Sequence, residues 1–511
     1  MQTTASKFMN KFPYSGNFSL ITLIILLSVT LGTGLLTFKS YGTSWDELSS
    51  YDYGRDAFSA YSHPAVEPVY TDSDGVLQYY GPAYFITGAA LIKTFGWRGY
   101  NIRHLFNFLT YLLAVAAFYI LLTRWFKPAT TLAATLLFIS QPLFWGHAFI
   151  NPKDIPFMAF FLVSLVCGFW MNDKSETATG WQRILLPIIP GLVLGYATST
   201  RIIAPLAGIL ISFLALYRLR MKAIPFLVIY WITAMIAVYA TWPFLWPNPI
   251  DRFIASLRIM SSFPWNNKVL FDGIYYKSSD LPRSYLPKLM ALQFTEPVLL
   301  FSFAGVAVLA WKTWQKKIDI VLLITLFIWF LAPLAWVIIS RPTMYDNFRQ
   351  FLFIMPPVFI LCAIALDELF VRYSGPKIQI LLIFLAVIPG VVAGIRLHPY
   401  EYVYYNSLAG NIAGRYETDY WATSFREATD YINKNAPQMA VVSIGPWGLL
   451  QEFLRPDLQI DRNEVSENSD YVIIFNRWDY EKNLAFNGKP VYSIGRAGAV
   501  FLVIQHMPYR K

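Results

Sequence analysis

Charge is scarce in this chain of 511 residues: only 14% are Asp, Glu, Lys or Arg, against roughly 25% in soluble domains. That deficit excludes an ordinary water-soluble surface and argues for lipid as solvent. The only cysteines, Cys167 and Cys362, both lie inside hydrophobic segments. A disulfide framework or cysteine-based metal site is thereby excluded, and both residues read as core packing. The five histidines, His63, His104, His147, His398 and His506, show no metal-ligand spacing such as His-Glu-x-x-His. No glycine-rich phosphate loop, internal repeat, heptad array or low-complexity segment stands out. Nor is there a strong inverted-repeat signal of the kind some transporters carry.

What is present is apolar: 56% of residues are hydrophobic and 17% aromatic. They gather in runs such as Ser19–Phe38, Ala129–Phe149, Ala223–Trp246 and Ile318–Ile339, each near the ~20 residues that cross a hydrocarbon core. The pattern predicts an all-α polytopic membrane protein of about eleven spans, followed by a small C-terminal α/β extramembrane domain. The expected spans are roughly 19–38, 104–123, 129–149, 155–171, 184–200, 202–217, 223–244, 296–311, 319–339, 350–371 and 378–396. The first reads as a retained helix, since no small-residue cleavage site follows it. The membrane region is expected over 1–396 and the added domain over 397–511.

The net charge of +10 is spread over short loops and does not form a nucleic-acid footprint. Lys7 and Lys11, Arg124 and Lys127, Lys174 and Arg183, Arg218 to Lys222, Lys312 to Lys317, and Arg372 with Lys377 fall at every second junction. Positive residues stay on the cytoplasmic side, which puts the N-terminus there and the C-terminal domain outside. Gly81–Phe95 is apolar but would span only about 22 Å as a helix, short of the ~30 Å core. It is expected to lie in the interface. The outer face then receives the loop 39–103, the turn Asn151–Asp154, the loop Trp246–Thr295 and everything after His398. In the tail, Gln438–Ile444, Asp470–Phe475 and Ala499–Ile504 read as buried strands and Trp421–Asn433 as a helix that stops before Pro437.

Residues able to do chemistry fall on that outer face. Asp46 and Glu47, just beyond the first span, offer a general base toward a hydroxyl or amine, oxygen ligands for a divalent cation, or a solvated acidic pair. Lys153 and Asp154 sit in a turn stiffened by Pro152 and Pro156. They are either a surface ion pair or part of the same site. Arg201 interrupts the apolar stretch Ile184–Tyr217, and an arginine at such depth is costly and rarely idle. Its planar fork suits a phosphate. Arg341 and Arg349 lie at another outer junction and offer the same chemistry, or in the case of Arg349 a snorkelling anchor.

These residues resemble the integral-membrane GT-C glycosyltransferases, in particular the branch of protein O-mannosyltransferases and bacterial lipid A aminoarabinose transferases. The resemblance covers roughly 19–396. It rests on Trp45-Asp46-Glu47, Asn151-Pro-Lys-Asp-Ile-Pro156, Gly195-Tyr-Ala-Thr-Ser-Thr-Arg201, and Tyr345-Asp-Asn-Phe-Arg349 with Pro356-Pro357. It implies transfer of a sugar from a polyprenyl-phosphate donor to a glycan, lipid or protein acceptor at the outer face, with inversion in one displacement. By that likeness Asp46 is the base and Glu47 its support. Asp154 positions the acceptor or a divalent metal shared with Asp46, and Arg201 and Arg349 bind the carrier phosphate, with Lys153 and Arg341 as further donor contacts. No other cofactor is implied. The additional domain stands at the C-terminus and not between later helices as in protein mannosyltransferases, which weighs against a protein acceptor. The competing reading is a transporter or flippase of lipid-linked saccharides. If the source is bacterial, the membrane is the inner one and the outer face is the periplasm.

Overall fold

The computed structural model describes residues 17–63, 75–96, 99–444, 449–450, 452–462, 468–477 and 488–507. Lys7 and Lys11, expected to flank the first helix on the cytoplasmic side, lie outside the described residues.

Helices build most of the described residues up to 397: α1 (Asn17–Thr37), α2 (Trp45–Ser59), α3 (Ala83–Phe95), α4 (Tyr100–Leu122), α5 (Pro128–Ile139), α6 (Pro142–Ile150), α7 (Asp154–Ser175), α8 (Gln182–Leu185) and α9 (Ile188–Thr198). They continue with α10 (Pro205–Leu219), α11 (Ile224–Thr241), α12 (Pro249–Ser261), α13 (Tyr285–Gln293), α14 (Glu296–Trp314), α15 (Ile320–Leu326), α16 (Ala332–Ser340), α17 (Pro356–Arg372) and α18 (Pro376–Leu397). Proline sets many of the starts. Pro128, Pro142, Pro205, Pro356 and Pro376 each stand in a first turn, where the missing N–H has no intrahelical partner to lose.

Among the described residues, eight helices are long and apolar enough to cross a membrane, or nine if the pair α5–α6, bent by 61°, is one span. The bend has a local cause. Pro142 cannot continue the hydrogen-bond ladder, and the buried Gln141 beside it satisfies other backbone instead, donating to Gln293 O at 2.6 Å. One of the eight is the 37-residue run Pro205–Thr241, which as a straight helix would be about 55 Å long. It is broken at Arg220, whose φ of 53° is not helical. On one side of the break α10 packs on α7, where Asn172 Nδ2 donates to Ile211 O at 3.1 Å. On the other, α11 packs on α9, with Gly191 against Tyr230 and Gly195 against Ala234. The basic turn therefore joins two helices. The span expected at 184–200 is the short pair α8 and α9. Eleven crossings require that α10, α11, the bent pair and this short segment each span. α3, with 13 residues, is too short to span, at about 20 Å.

Depth within the bundle differs sharply between helices. In the α17 segment 78% of the apolar window is buried, whereas in α18 only 11% is. Exposed Leu300, Phe303, Ile380 and Ile395 give α14 and α18 outward apolar faces that suit acyl chains and not water. The chain is an integral membrane protein.

After α18 come α19 (Phe425–Asn435) and a five-stranded sheet in the order β4-β3-β5-β7-β6. A separate hairpin, β1 (Lys268–Phe271) with β2 (Ile274–Lys277), lies in the loop between α12 and α13 and was not anticipated from sequence. The large sheet comprises β3 (Val441–Ile444), β4 (Gln459–Asp461), β5 (Tyr471–Phe475), β6 (Lys489–Arg496) and β7 (Ala499–His506). β3 runs parallel to β4 and β5, while β7 is antiparallel to β5 and β6. Every residue of β5 is buried, so its sequence is a continuous apolar run without alternation. Phe425, Ala428 and Ile432 line the buried face of α19. Three of the strands are those expected from sequence; β4 and β6, whose residues are mostly exposed or half-buried, carried no apolar signal.

Candidate active site

Four segments expected on one face converge: the first turn of α2, the turn before α7, the end of α9, and residues 345–349. Each is placed by local chemistry. The Ser44 N–H donates to Glu47 Oε1 at 2.9 Å, closing the first turn of α2, and Ser44 Oγ donates to Ile150 O at 2.7 Å, tying that turn to the end of α6. Asn151 organises the next turn. Its Oδ1 accepts the N–H groups of Lys153 and Asp154 at 3.2 and 2.9 Å, and its Nδ2 donates to Asp154 Oδ2 at 2.9 Å. Asp154 then opens α7, where a negative charge complements the helix dipole.

The charges interlock. Lys153 Nζ lies 3.3 Å and Arg349 Nη2 3.6 Å from Asp46 Oδ2. Arg349 Nη1 reaches Asp154 Oδ2 at 3.1 Å, and Arg201 pairs with the other Asp154 oxygen. Arg349 also grips Asp346 with Nε and Nη2, at 3.1 and 2.9 Å from Oδ2. Arg477, from beyond β5, pairs with Asp346 Oδ1. Burial opposes the charge of Asp46, but Lys153 and Arg349 outweigh it and hold its carboxyl below the ordinary aspartate value. Among the described residues no donor is aligned on the buried Asp46 Oδ2. Three carboxylates (Asp46, Asp154, Asp346) thus meet four cations (Lys153, Arg201, Arg349, Arg477). The neighbouring Glu417, 3.7 Å from Arg477 Nη2, is pushed up by burial to about 7. With Glu417 protonated the cluster carries one more cation than carboxylates, a balance suited to an anion.

Aromatic rings close around the cations. Lys153 Nζ and Arg201 Cζ stand 5.2 and 5.7 Å from the Tyr80 ring, and Arg349 Cζ stands 4.5 Å from Trp421, distances at which the ring face attracts a cation. Tyr80 is carried there by the segment before α3, where the Ala83 N–H donates to Ser199 O at 2.9 Å. A Cβ on Gly81 would come within 2.3 Å of the Ser199 backbone, so only glycine permits this approach. Beside Arg201 and Tyr80 opens a cavity of about 450 Å³, otherwise walled by groups such as Leu206, Met260, Trp336 and Phe353. Its lining is mainly apolar.

Of the residues singled out in the sequence, Asp46, Lys153, Asp154, Arg201 and Arg349 come together. Glu47 does not join them. Its second oxygen faces Arg103 Nε at 3.4 Å and the first faces His104 Nε2 at 3.2 Å, which fixes α2 to α4. Arg341 is also elsewhere, donating to Leu281 O and Asp280 O at 3.0 and 3.1 Å. Asp346, Arg477, Tyr80 and Trp421 were not anticipated as site residues. Asp346 stands three residues before Arg349 in a motif already noted, whereas nothing in the sequence links Arg477 to it. Among the described residues no three His, Cys, Asp or Glu converge as a metal-ligand set.

Residues 42–247 match the family described as dolichyl-phosphate-mannose-protein mannosyltransferase. The fold is similar to that of ArnT from Cupriavidus metallidurans in the apo state, with a TM-score of 0.55 and 14% identity over 95% of this chain and 97% of that one. The same protein bound to undecaprenyl phosphate gives 0.52 and 14%, over 96% and 98%. No curated protein sequence matches the chain. The resemblance drawn from the motifs is borne out in fold over nearly the whole chain, and residues 42–247 are similar to the mannosyltransferase family.

Proposed function

We propose that the protein is a glycosyltransferase that moves one sugar from a polyprenyl-phosphate carrier to a hydroxyl or amine acceptor at the outer face of the membrane, with inversion. The observation that carries this reading is the Asp46 carboxylate, half-buried and charged beside Lys153 and Arg349 at 3.3 and 3.6 Å, close to an apolar cavity that has Arg201 in its wall. Base, phosphate-binding groups and lipid-compatible space occur together. The family match over 42–247 and an ArnT relative that binds undecaprenyl phosphate support it.

In this reading the carrier phosphate enters between Arg201 and Arg349, whose guanidinium groups take it as they now take Asp154. Lys153 gives a further contact. As the phosphate draws Lys153 and Arg349 away from Asp46, that carboxylate becomes a stronger base. It removes the acceptor proton while the acceptor oxygen or nitrogen bonds to the anomeric carbon. The bond from that carbon to the phosphate oxygen breaks on the opposite side, and its electron pair leaves on the phosphate. Fixed guanidinium groups stabilise the charge that develops there. Glu47 holds α2, and with it Asp46, in place. This reading assigns no step to a divalent metal, since Lys153, Arg201 and Arg349 supply the positive charge that faces Asp46 and Asp154. The alternation of basic loops supports an N-terminus in the cytoplasm and a C-terminal domain outside, which in a bacterium would mean the inner membrane and the periplasm.

Binding of undecaprenyl phosphate to the purified protein in lipid nanodiscs tests the donor half of this reading. Arg201→Ala should weaken it roughly 10- to 100-fold, the loss of one charge-assisted contact. Equal affinity in wild type and variant would remove Arg201 from the phosphate site.

A further inference from the structure

The transfer reading makes no use of the C-terminal domain, yet that domain reaches the charged cluster. Arg477, two residues beyond β5, pairs with Asp346 Oδ1, while Arg349 holds Asp346 Oδ2 at 2.9 Å. Both arginines and the aspartate are about nine-tenths buried or more. One carboxylate thus stands between two guanidinium groups that would otherwise repel each other.

The same side chain touches the other arm of the site. Arg477 Nη1 donates to Tyr420 O at 2.7 Å, and Trp45 Nε1, from the residue before Asp46, donates to that same oxygen at 2.9 Å. Trp45 also meets Phe475 of β5 edge-on, with ring centroids 5.8 Å apart. Further along, Glu452 accepts from Arg103 Nη2 at 2.7 and 2.8 Å and from Thr43 at 2.8 Å, beside the contacts that anchor Glu47.

The backbone at Asp346 needs such holding. Asp346 and Asn347 have φ of 54° and 59°, two consecutive left-handed residues without glycine. Asp and Asn tolerate that region better than other residues but still at some cost. The bend turns the Asp346 carboxylate back toward Arg349 and leaves its outer oxygen to Arg477.

We propose that Arg477 is a positioning residue: through Asp346 it sets the Arg349 guanidinium, and through Tyr420 it sets Trp45 and the Asp46 helix turn, so that the C-terminal domain completes the active site. This rests on the transfer reading and names the part its added domain plays.

The test measures transfer from an undecaprenyl-phosphate sugar, with kcat and donor KM, in Arg477→Ala and Arg477→Lys, each also in an Arg349→Lys background. Thermal midpoints report folding. With Arg477 acting through Arg349, kcat falls roughly 10- to 100-fold, while donor KM rises by a smaller factor because Arg201 and Lys153 still hold the carrier phosphate. The lysine variant, which keeps charge but not the fork, recovers part of the loss. In the Arg349→Lys background the further effect of Arg477→Ala shrinks below about twofold, because residues acting as a unit are not additive. Losses that simply multiply, or wild-type kcat in a folded Arg477 variant, overturn the proposal. If the alanine variant does not fold, the lysine pair decides by the same criterion. A wild type that transfers nothing overturns the transfer reading itself.

Discussion

Arg349 Nη1 lies 3.1 Å from Asp154 Oδ2, although 195 residues separate them in the chain. The pair joins the 341–349 segment to the start of α7. Arg349 is buried among three carboxylates, so deleting it outright would leave Asp154 to Arg201 and Asp346 to Arg477 alone, a loss of up to about 3–5 kcal/mol for a broken buried pair. Alanine at this position therefore confounds folding with function. Arg349→Lys keeps the charge and loses the fork. It should retain most of the thermal midpoint while lowering the transfer rate by roughly 10²- to 10³-fold, as expected for one donor to a developing anion. Wild-type rates in a folded Arg349→Lys would show that the fork is not used.

Metal dependence separates two uses of the same carboxylates. Oxygen-rich sites hold divalent cations, but here Lys153 and Arg349 flank Asp46, and Arg201 and Arg349 flank Asp154. Transfer should proceed unchanged after EDTA treatment and be no faster with added Mg²⁺ or Mn²⁺. Loss of activity in EDTA, restored by one of these ions, would contradict the charge arrangement drawn for the site.

Glu417 gives the fold a pH dependence of defined sign. Burial raises its carboxyl from the ordinary 4.5 to about 7, so the folded protein holds that proton more tightly than the unfolded chain does. Its contribution to stability is complete below about pH 4.5 and is lost as pH rises through about 7. Glu417→Gln should therefore flatten the fall of thermal midpoint between these values. An identical pH profile in wild type and variant would show that Glu417 titrates normally.

Much of the site was legible because membrane segments are written in a sparse code. Arg201 and Asp154 stand out as polar interruptions of apolar runs, and the alternation of basic loops placed both on the face that carries Asp46. Asp46 and Glu47 were harder to separate. Read as loop residues, they looked equivalent. On α2 they point about 100° apart, so Asp46 meets the cluster while Glu47 turns toward His104 and Arg103. Arg341 and Arg349 had the same appearance, and only the left-handed bend at Asp346 and Asn347 decides which of them faces Asp154. Arg477 left no trace, because its partner Asp346 lies 131 residues earlier in a different structural unit. Neither periodicity nor composition records such a contact.

The most direct measurement is transfer by the purified wild-type protein in lipid, from a radiolabelled polyprenyl-phosphate sugar to crude envelope acceptors, beside Asp46→Asn. The asparagine keeps the size of Asp46 and removes its charge. Label is expected to move into an acceptor with the wild type and to fall by at least about 10²-fold in a variant that still folds and binds the carrier, as for loss of a general base. Equal transfer by a folded Asp46→Asn would contradict the assignment of Asp46 as the base, and no transfer by the wild type with intact carrier binding would contradict glycosyl transfer altogether.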